Sequence, residues 1–440
     1  MSKPVVAVVG RPNVGKSTFF NKIVGRRVSI VEDTPGVTRD RIYAEAEWRG
    51  IVFALVDTGG IEPDSDDVIL SQMREQAQIA MEMADVILFM LDGREGITNS
   101  DREVANMLMR TGKHVIPVVN KVDSPNMHDV IYDFYELGLG DPVCISASNM
   151  LNLGDVLDRI VENFPYGRFD DDENITKIAV IGKPNVGKSS LVNTLVGENR
   201  VIVSDIAGTT RDSIDTPFRW NNNDYILIDT AGIRRRSKVY GDIERYSVIR
   251  AIAAIERCDV CLLMIDAQTG VTEQDKKIAG IAHEAGKGIA VVVNKWDLIE
   301  KSTNTMSEFK KNISLQLSFM SYAPIIFISV LTKQRIGKVM ETAEFVTRSR
   351  ATRISTGKLN SLVEDAVMIN PPPSDKGKRL KIYYVTQVSV NPPLFSFKVN
   401  NRDLVHFSYS RYLENKIRDA FGFEGTSIKF VFREKNEKQV

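Results

Sequence analysis

Residues 10–17 read GRPNVGKS, and residues 182–189 read GKPNVGKS. Both stretches match the pattern G-x-x-x-x-G-K-[ST], and each lies between an apolar run typical of a β-strand and a segment with helical spacing. Glycine lets such a loop turn so that consecutive backbone N–H groups point at phosphate oxygens, and the dipole of the following helix adds to the attraction. The sequence therefore predicts a phosphate-binding loop, or P-loop, in each of two places.

Four further blocks recur in the same order after each P-loop. The interval between copies is 172 residues for the loops and for the next two blocks, 174 for the third and 183 for the last. Insertions in the second copy are therefore expected after its third block, in residues 300–312, and the repeat predicts two domains of one kind. The paired blocks are VTRD ending at Asp40 and TTRD ending at Asp212, DTGG from Asp57 and DTAG from Asp229, NKVD from Asn120 and NKWD from Asn294, and SAS from Ser146 and SVL from Ser329.

Short β-branched runs alternate with helical patterns in both copies. This alternation is typical of βαβ units, and continuous apolar runs indicate parallel strands covered by helices on both faces. The predicted fold class is therefore α/β, with two parallel-rich sheets flanked by helices. The predicted strands are Val5–Val9, Ile51–Val56, Val86–Leu91, Val115–Val119 and Val143–Ile145 in the first copy, and Ile178–Ile181, Tyr225–Ile228, Val260–Ile265, Ile289–Val293 and Ile325–Ile328 in the second.

The length of the chain and the composition of its connecting segments predict the domain boundaries. At 440 residues it is long enough for about three domains. An acidic run follows the first copy and suits a linker. The predicted boundaries are 1–165 for the first α/β domain, 166–176 for the linker, 177–347 for the second α/β domain and 348–440 for a third domain.

The third domain differs from the others in pattern and charge. A helix near Leu359–Val367, strands at Leu380–Val390 and Leu394–Val399, a helix at Tyr409–Phe421 and a strand at Ile428–Phe432 predict a small α+β domain. Residues 348–440 carry 17 Lys and Arg against 9 Asp and Glu, whereas the rest of the chain carries 40 against 48. The surplus of positive charge indicates a polyanionic partner, or else a chance surplus on a solvated face.

Composition and cysteine content limit the classes of protein to which the chain can belong. No apolar run is long enough to span a membrane, and the amino terminus lacks a signal-peptide pattern, so we expect a cytoplasmic protein. Three cysteines give no disulfide framework and fit a reducing compartment. Cys258 and Cys261 spell C-x-x-C, which is either half of a metal or redox site or a pair of small buried residues.

The repeated blocks carry the chemistry of a nucleoside triphosphate and magnesium. In each copy the P-loop lysine can reach the β- and γ-phosphates, and the N–H of the glycine in the aspartate block can sense the γ-phosphate. The loop serine, the strand-end aspartate and an upstream loop threonine can hold Mg²⁺. The predicted catalytic residues are Lys16, Lys188, Gly60 and Gly232, and the predicted magnesium ligands are Ser17, Thr38, Asp57, Ser189, Thr210 and Asp229.

The NKVD and NKWD blocks predict the base. An ionised aspartate, Asp123 or Asp297, can accept from both N1–H and the 2-amino group of guanine, whereas adenine offers no such pair of donors. The substrate should therefore be GTP, with GDP as product. The SAS segment at Ser146–Ser148 should place a backbone N–H at the guanine oxygen, whereas the second copy departs from that spelling with SVL, which has Val330 in place of alanine. The predicted nucleotide contacts are Gly10, Arg11, Pro12, Asn13, Val14, Gly15, Lys16, Ser17, Asp57, Thr58, Gly59, Gly60, Ile61, Asn120, Lys121, Val122, Asp123, Ser146 and Ala147 in the first copy, and Gly182, Lys183, Pro184, Asn185, Val186, Gly187, Lys188, Ser189, Asp229, Thr230, Ala231, Gly232, Ile233, Asn294, Lys295, Trp296, Asp297 and Ser329 in the second.

With these blocks in place, the chain resembles the Der family, also called EngA, of bacterial tandem GTPases. The resemblance covers essentially the whole chain and rests on the two GxPNVGKS loops, the linker and PPPSDKGKRLKIYYVTQ at Pro371–Gln387. It implies two Ras-like P-loop G domains followed by a KH-like domain. It also implies a role in late maturation of the large (50S) ribosomal subunit, with nucleotide-dependent binding to that subunit and to ribosomal RNA. We expect no membrane, no DNA and a monomer when free.

GTP hydrolysis should be slow unless a group outside the aspartate block supplies the missing electrostatic stabilisation. Ras-type enzymes orient water with a glutamine just after that block, where this chain has Ile61 and Ile233. Asn13 and Asn185 resemble the P-loop asparagine that related GTPases use to hold potassium, which predicts K⁺-stimulated activity. The alternative is that each asparagine hydrogen-bonds within its loop.

RNA contact in the third domain is predicted to rest on charge. The only G-x-x-G spelling, at Gly422–Gly425, lies between a helix and the last strand and is interpreted as a chance turn, unlike the RNA clamp of KH domains. The candidate contacts are Lys376, Lys378, Arg379 and Lys381, with Tyr383 and Tyr384 either stacking on bases or, as the preferred interpretation, packing in the core.

Two alternatives stay open. The basic run at Arg234–Lys238 is either a solvated face or a cluster whose contacts follow the nucleotide state. The protein itself is either a GTP-driven assembly factor or a nucleotide-gated RNA-binding scaffold in which only one G domain turns over. A membrane-linked GTPase is disfavoured by the missing membrane segment.

Overall fold

A computed structural model describes most of the chain. The described residues are 3–24, 43–57, 73–74, 76–78, 80–81, 83–124, 130–164, 175–198, 215–221, 223–228, 243–375 and 378–434. They group into two compact units, Met1–Glu173 with Tyr240–Arg257, and Asn174–Val239 with Cys258–Val440. Several predictions lie outside the described residues, namely those on the VTRD and TTRD blocks, most of the acidic linker, Thr58–Ile61, Asp229–Ile233, Arg234–Lys238 and Lys376.

The first unit is built on a six-stranded sheet in the order β2-β3-β1-β4-β5-β6. All neighbouring strands are parallel except β2, which is antiparallel to β3. The strands are β1 Val5–Gly10, β2 Tyr43–Trp48, β3 Ile51–Asp57, β4 Val86–Asp92, β5 His114–Asn120 and β6 Val143–Cys144, and the helices are α1 Lys16–Val24, α2 Asn99–Met109, α3 Ile131–Phe134 and α4 Leu153–Glu162.

Helices cover both faces of this sheet because its strands are apolar on both faces. Alternate residues of a strand point to opposite faces. Val6 and Val8 accordingly pack in a core with Phe19 of α1, whereas Ala7 and Val9 pack in a second core with Leu108 of α2. This confirms the α/β prediction for the first copy.

The second copy has the same sheet topology, in the order β12-β11-β10-β7-β9-β8. Again only the edge strand β8 is antiparallel, pairing with β9. The strands are β7 Thr176–Ile181, β8 Thr216–Trp220, β9 Asn223–Ile228, β10 Val260–Asp266, β11 Gly288–Asn294 and β12 Ile325–Phe327, and the helices are α5 Lys188–Glu198, α7 Glu273–Glu284, α8 Thr305–Gln316 and α9 Ile336–Arg350. Helix α6 Ile243–Arg257 lies between β9 and β10 in the sequence and belongs to the first compact unit. Helix α8 has 12 residues where α3 of the first copy has four, so the expected insertion after NKWD is confirmed.

The carboxy-terminal residues form the predicted small α+β domain. Its three-stranded sheet has the order β15-β16-β17, with β15 antiparallel and β17 parallel to β16. Helices α10 and α11 pack on it around Phe395, Phe397 and Leu413. The elements are α10 Thr356–Ile369, β13 Ser374–Asp375, β14 Lys378–Arg379, β15 Ile382–Ser389, β16 Leu394–Val399, α11 Phe407–Phe421 and β17 Lys429–Glu434.

The turn at Gly422–Gly425 lies between α11 and β17, as predicted, and it has a defined structural role within the second unit. The Gly425 N–H donates to the Tyr322 carbonyl at 2.8 Å, and its carbonyl accepts from the Ile289 N–H at 2.7 Å. A Cβ on Gly425 would lie 2.3 Å from the Val346 side chain. The turn therefore fastens the α+β domain to β11 and α9 of the second sheet domain.

Cys258 directly follows α6, and Cys261 is the second residue of β10. Both side chains are buried, and their sulfur atoms are 3.3 Å apart. Burial raises the pKa of the Cys261 thiol well above its ordinary value. This placement favours the interpretation of the C-x-x-C spelling as two small buried residues. Among the described residues, no helix combines the length and apolar content needed to cross a bilayer.

Candidate functional site

The glycines of both P-loops stand where no side chain fits. A Cβ on Gly15 would lie 2.2 Å from Nδ2 of Asn120, and one on Gly187 would lie 2.4 Å from Nδ2 of Asn294. Gly15 and Gly187 also have φ of 97° and 101°, which residues with a side chain rarely adopt. The last two residues of each loop are the first two residues of a helix, α1 or α5, so its backbone N–H groups gather at a helix N-terminus.

The P-loop lysines are buried and fold back on their own loops. The Lys16 ammonium donates to the carbonyls of Gly10 at 2.7 Å and Arg11 at 2.5 Å. Lys188 does the same with Gly182 and Lys183, both at 2.6 Å. Both ammonium groups therefore lie inside the loop concavity, where a phosphate oxygen would compete for them.

Ser17 and Asp57 bring a hydroxyl and a carboxylate together beside the first P-loop. The Ser17 hydroxyl donates to Oδ2 of Asp57 at 3.1 Å. Asp57 is the last residue of β3, so the sheet itself delivers the carboxylate to the loop. Oxygen donors of these two kinds suit Mg²⁺. Ser189 is the second residue of α5, as Ser17 is of α1, but its expected partner Asp229 lies outside the described residues.

The asparagines of NKVD and NKWD connect two loops in each copy. Asn120 donates to the Val14 carbonyl at 2.7 Å and accepts from the Ala147 N–H at 2.9 Å. Asn294 repeats this with Val186 at 2.8 Å and the Val330 N–H at 3.0 Å. The hydrogen bond to the loop after the last strand is therefore the same in both copies, although one spells SAS and the other SVL. Ser146 and Ser329 are buried in these loops.

The lysines of the same blocks are held by aspartates that the repeat comparison had missed. Lys121 forms an ion pair with Asp92 at 2.6 Å, and Lys295 forms one with Asp266 at 2.6 Å. Burial alone would raise the pKa of Asp92 and Asp266, but the lysine hydrogen bonds and backbone N–H donors outweigh it and lower both pKa values. Both carboxylates therefore stay ionised and keep the lysines in place.

The carboxylates expected to recognise guanine have different surroundings in the two copies. Asp123 accepts from the Ser146 hydroxyl at 2.6 Å and from Asn149 at 3.0 Å, and it forms an ion pair with Arg94. The Ser146 hydrogen bond, followed by Arg94, lowers the pKa of Asp123. Asp297 is partly exposed, and within the described residues it forms no hydrogen bond or ion pair.

Val122 and Trp296 pack beneath the base-recognition blocks. Val122 is buried, and its N–H donates to the Ile145 carbonyl at 3.0 Å. Trp296 is buried against Phe309 and Phe327, with ring centroids 5.1 Å and 4.4 Å away. These residues support the loops from the core side.

Asn13 and Asn185 occupy matching exposed positions in the P-loops. Their φ values are 64° and 63°, a left-handed conformation that asparagine tolerates better than most residues. Neither side chain has a hydrogen bond among the described residues. The alternative of a hydrogen bond within the loop therefore gains no support.

A repeated block could have revealed the missed residues. LDGREGITNSD at Leu91–Asp101 corresponds to IDAQTGVTEQD at Ile265–Asp275, again 174 residues apart. The second residue of this block is Asp92 in the first copy and Asp266 in the second, which are the two aspartates that pair with the lysines. The fourth residue of the first copy is Arg94. Asn149 has no comparable signal in the sequence, because its contact with Asp123 depends on how the last loop folds.

A basic and aromatic surface lies at the start of β15. Lys378, Arg379 and Lys381 are exposed, as are Tyr383 at 52% and Tyr384 at 46%. The preferred interpretation, that the tyrosines pack in the core, was therefore wrong. The pairing of β15 with β16 shifts register between Ile382 and Tyr384, and such a bulge lets two consecutive residues face outward. We call Lys378, Arg379, Lys381, Tyr383 and Tyr384 the basic–aromatic edge.

Two sheet domains with matching P-loops and matching base-recognition loops define a P-loop GTPase with tandem G domains. A family described as "50S ribosome-binding GTPase" matches residues 5–121 and 177–295, and one described as "KH-domain-like of EngA bacterial GTPase enzymes, C-terminal" matches residues 353–433. The chain is 62% identical over 439 residues to GTPase Der of Alkaliphilus metalliredigens (strain QYMF), covering 99% of each. It is 59% identical over 438 residues to GTPase Der of Clostridium tetani (strain Massachusetts / E88), covering 99% of this chain and 100% of that one.

The chain belongs to the GTPase Der family. It is therefore a GTPase with two G domains that bind guanine nucleotides and a KH-like domain at its carboxy-terminal end. Among solved structures, it is similar to Era of Aquifex aeolicus bound to GDP and AlF4⁻, at 23% identity over 75% of this chain and 93% of that chain, with a TM-score of 0.31.

Proposed function

We propose that this GTPase acts in late assembly of the large (50S) ribosomal subunit, to which it binds in a nucleotide-dependent way. The observation that carries the proposal is the basic–aromatic edge of the KH-like domain. Its three cations can contact phosphates, and its two tyrosines can stack on unpaired bases. The description of the matching G-domain family, "50S ribosome-binding GTPase", supports the large subunit as the partner.

The distribution of charge along the sequence also supports a polyanionic partner that binds the KH-like domain. Residues 348–440 have a net charge of +8, and the rest of the chain has a net charge of −8. RNA attracts the first region and repels the second, so the charge favours docking through the KH-like domain.

In this proposal, Ser17 and Asp57 hold magnesium in the first G domain. When bound, the ion neutralises charge that develops on the β- and γ-phosphates. Lys16 leaves the two loop carbonyls and pairs with the phosphates, and Asp123 exchanges Arg94 for the donors of guanine. The second G domain uses Lys188, Ser189 and Asp297 in the same places, and Thr38, Thr210, Asp229, Gly60 and Gly232 keep their predicted roles.

We also propose potassium as an activator, held beside Asn13 and Asn185. The residues after the aspartate blocks are isoleucines, which cannot orient water, so a cation can supply the missing electrostatic stabilisation. GTP hydrolysis should be several-fold faster in potassium than in sodium buffer at equal ionic strength, and Asn13→Ala with Asn185→Ala should remove the difference. Equal rates in both buffers for the unaltered protein would contradict this part.

Cosedimentation with purified 50S and 30S subunits tests the central proposal. The full chain is mixed with each subunit in a GTP analogue, in GDP and without nucleotide, and we expect 50S binding that changes with the nucleotide. Tyr383→Ala with Tyr384→Ala should weaken that binding by roughly tenfold or more, since base stacking contributes about 1–3 kcal/mol per base.

The matched control is Tyr132→Ala with Tyr135→Ala, which removes two exposed tyrosines from the first G domain. This control should bind like the unaltered protein. Equal binding to both subunits, or equal loss in the two double variants, would contradict the proposal.

The scaffold alternative draws on one observation, the unequal surroundings of Asp123 and Asp297. Lys16→Ala and Lys188→Ala separate the alternatives. An assembly GTPase with two active sites should lose part of its GTP turnover in each variant. A scaffold with one hydrolysing domain should lose all turnover in one variant and none in the other.

A further inference from the structure

The second residue of the P-loop is Arg11 in the first copy and Lys183 in the second, and their side chains make different contacts. Arg11 is only 8% exposed. Its guanidinium donates to Glu95 at 2.8 Å, to Asp101 at 3.1 Å and to the Gly96 carbonyl at 3.3 Å. One side chain therefore connects the first P-loop to the turn between β4 and α2 and to α2 itself.

Asp101 needs a partner because its carboxylate is fully buried. It is the third residue of α2 and forms a capping box with Thr98, whose N–H and hydroxyl donate to Oδ2 at 2.9 Å and 2.8 Å. The other oxygen, Oδ1, accepts from Arg11. Both oxygens of this buried carboxylate thus accept a hydrogen bond, as a buried charge requires.

The second copy has the same capping box with one partner missing. Thr272 donates its N–H and hydroxyl to Oδ2 of Asp275 at 3.0 Å and 2.7 Å, and Asp275 is also fully buried. Its Oδ1, however, has no hydrogen-bond partner among the described residues. Lys183, which stands where the first copy has Arg11, donates to the Thr269 hydroxyl at 2.5 Å.

The chemistry of the two cations accounts for the difference. Arginine has a planar fork of donors that can serve three acceptors at once, whereas lysine ends in a single ammonium. The arginine also acts on the nucleotide-binding lysine, because the Arg11 carbonyl accepts from Lys16. Fixing Arg11 therefore fixes the backbone that surrounds the Lys16 ammonium.

We propose that Arg11 is a positioning residue that fastens the first P-loop to α2, and that Lys183 leaves the second P-loop without this fastening. The first loop is then pre-organised for phosphate, whereas the second must be ordered when nucleotide binds. Pre-organisation improves affinity by reducing the entropy lost on binding. The inference rests on the two nucleotide sites of the proposed function, but not on the ribosomal role.

Reciprocal substitutions in the full chain test the inference one site at a time. Asp297→Asn removes guanine recognition from the second site, so calorimetric titration with GDP and magnesium then reports on the first site alone. Asp123→Asn isolates the second site in the same way. Each comparison is made within one site, so the Arg94 contact to Asp123 does not affect it.

Arg11→Lys in the Asp297→Asn background should raise the Kd for GDP by about fivefold to tenfold. Lys183→Arg in the Asp123→Asn background should lower the Kd of the second site by a similar factor, because the new guanidinium can reach Oδ1 of Asp275. A lower Kd cannot result from a variant that fails to fold, so the Lys183→Arg comparison remains informative even if Arg11→Lys destabilises the protein. The matched control is Arg102→Lys, which changes an exposed arginine on α2 that pairs with Glu136 and should leave the Kd unchanged.

Thermal unfolding without nucleotide separates positioning from simple stabilisation. If Arg11→Lys and Lys183→Arg shift the melting temperature but leave both Kd values unchanged, the inference is overturned and Arg11 is only structural. If the Asp297→Asn chain does not keep one guanine site, the assignment of the nucleotide sites fails and the inference fails with it. A changed Kd in both swaps, in opposite directions, supports it.

Discussion

Contacts made by single residues determine the shape of the nucleotide sites, and the sequence motifs alone do not show these contacts. Asn120 and Asn294 were predicted to contact the nucleotide, and in the structure each also connects its P-loop to the loop after the last strand of its sheet domain. The P-loop glycine beside each asparagine is required for this tie, because any Cβ would overlap the amide. Their role in nucleotide binding stays a prediction, and their contacts within the protein depend on the fold, which the sequence pattern does not show.

Gly15→Ala should abolish guanine-nucleotide binding at the first site. The new Cβ would lie 2.2 Å from Nδ2 of Asn120, at a φ of 97° that alanine rarely adopts. Calorimetry with GDP should show one site per chain in place of two. Gly357→Ala is the control, because a Cβ there meets nothing within 4 Å, and it should leave the stoichiometry at two. Two intact sites in Gly15→Ala would contradict the described loop geometry.

At the scale of elements, the sequence predicted the parallel strands well and missed the one antiparallel strand of each sheet domain. All ten predicted strands of the two sheet domains were confirmed, to within two residues at each end. Strands β2 and β8, YAEAEW and TPFRW, were missed because each has only one buried residue and its polar residues interrupt the continuous apolar pattern. The contacts of the turn at Gly422–Gly425 could not be predicted, because they are with residues more than 70 positions away in the sequence.

Gly425→Ala tests the docking role of that turn. A Cβ there would lie 2.3 Å from Val346 at a φ of 79°, so both overlap and backbone strain should destabilise the second unit. We expect a loss of roughly 2–4 kcal/mol in the free energy of unfolding, measured with denaturant. Gly422→Ala has a similar φ of 86° but nothing within 4 Å, so it should lose only about 1 kcal/mol. Equal losses in the two variants would show that Val346 is not involved.

The end of α7 carries a histidine that should make this unit sensitive to acid. Burial, followed by the positive charges of Arg418, Lys429 and Arg411, lowers the pKa of His283 to about 4 from 6.5. Its Nδ1 lies 2.7 Å from the Tyr322 hydroxyl. Between these pH values the unfolded chain binds a proton that the folded chain does not, so stability is complete above pH 6.5 and falls as the pH drops toward 4.

The expected loss from this histidine is roughly 2–3 kcal/mol between pH 6.5 and pH 4. Denaturant unfolding at several pH values measures it, with His283→Gln as the comparison, because glutamine does not titrate. The difference in free energy of unfolding between the two proteins should change with pH over this window. A constant difference would contradict the burial of a neutral imidazole.

For the whole molecule, the internal repeat was the strongest prediction. Blocks 172 residues apart predicted two domains of one kind, and the two sheets have the same strand order and the same antiparallel edge. The repeat could not predict how the copies differ, because the differences lie in single contacts such as those of Arg11 and Arg94. The boundaries at 165, 177 and 348 stay a prediction.

The central claim is that one chain holds two guanine-nucleotide sites, each made by a P-loop and a base-recognising aspartate. Isothermal titration calorimetry of the full chain with GDP and magnesium, repeated with excess ATP present, tests it most directly. We predict two GDP molecules bound per chain, with affinities that ATP does not weaken. A single site per chain, or equal competition by ATP, would contradict the account.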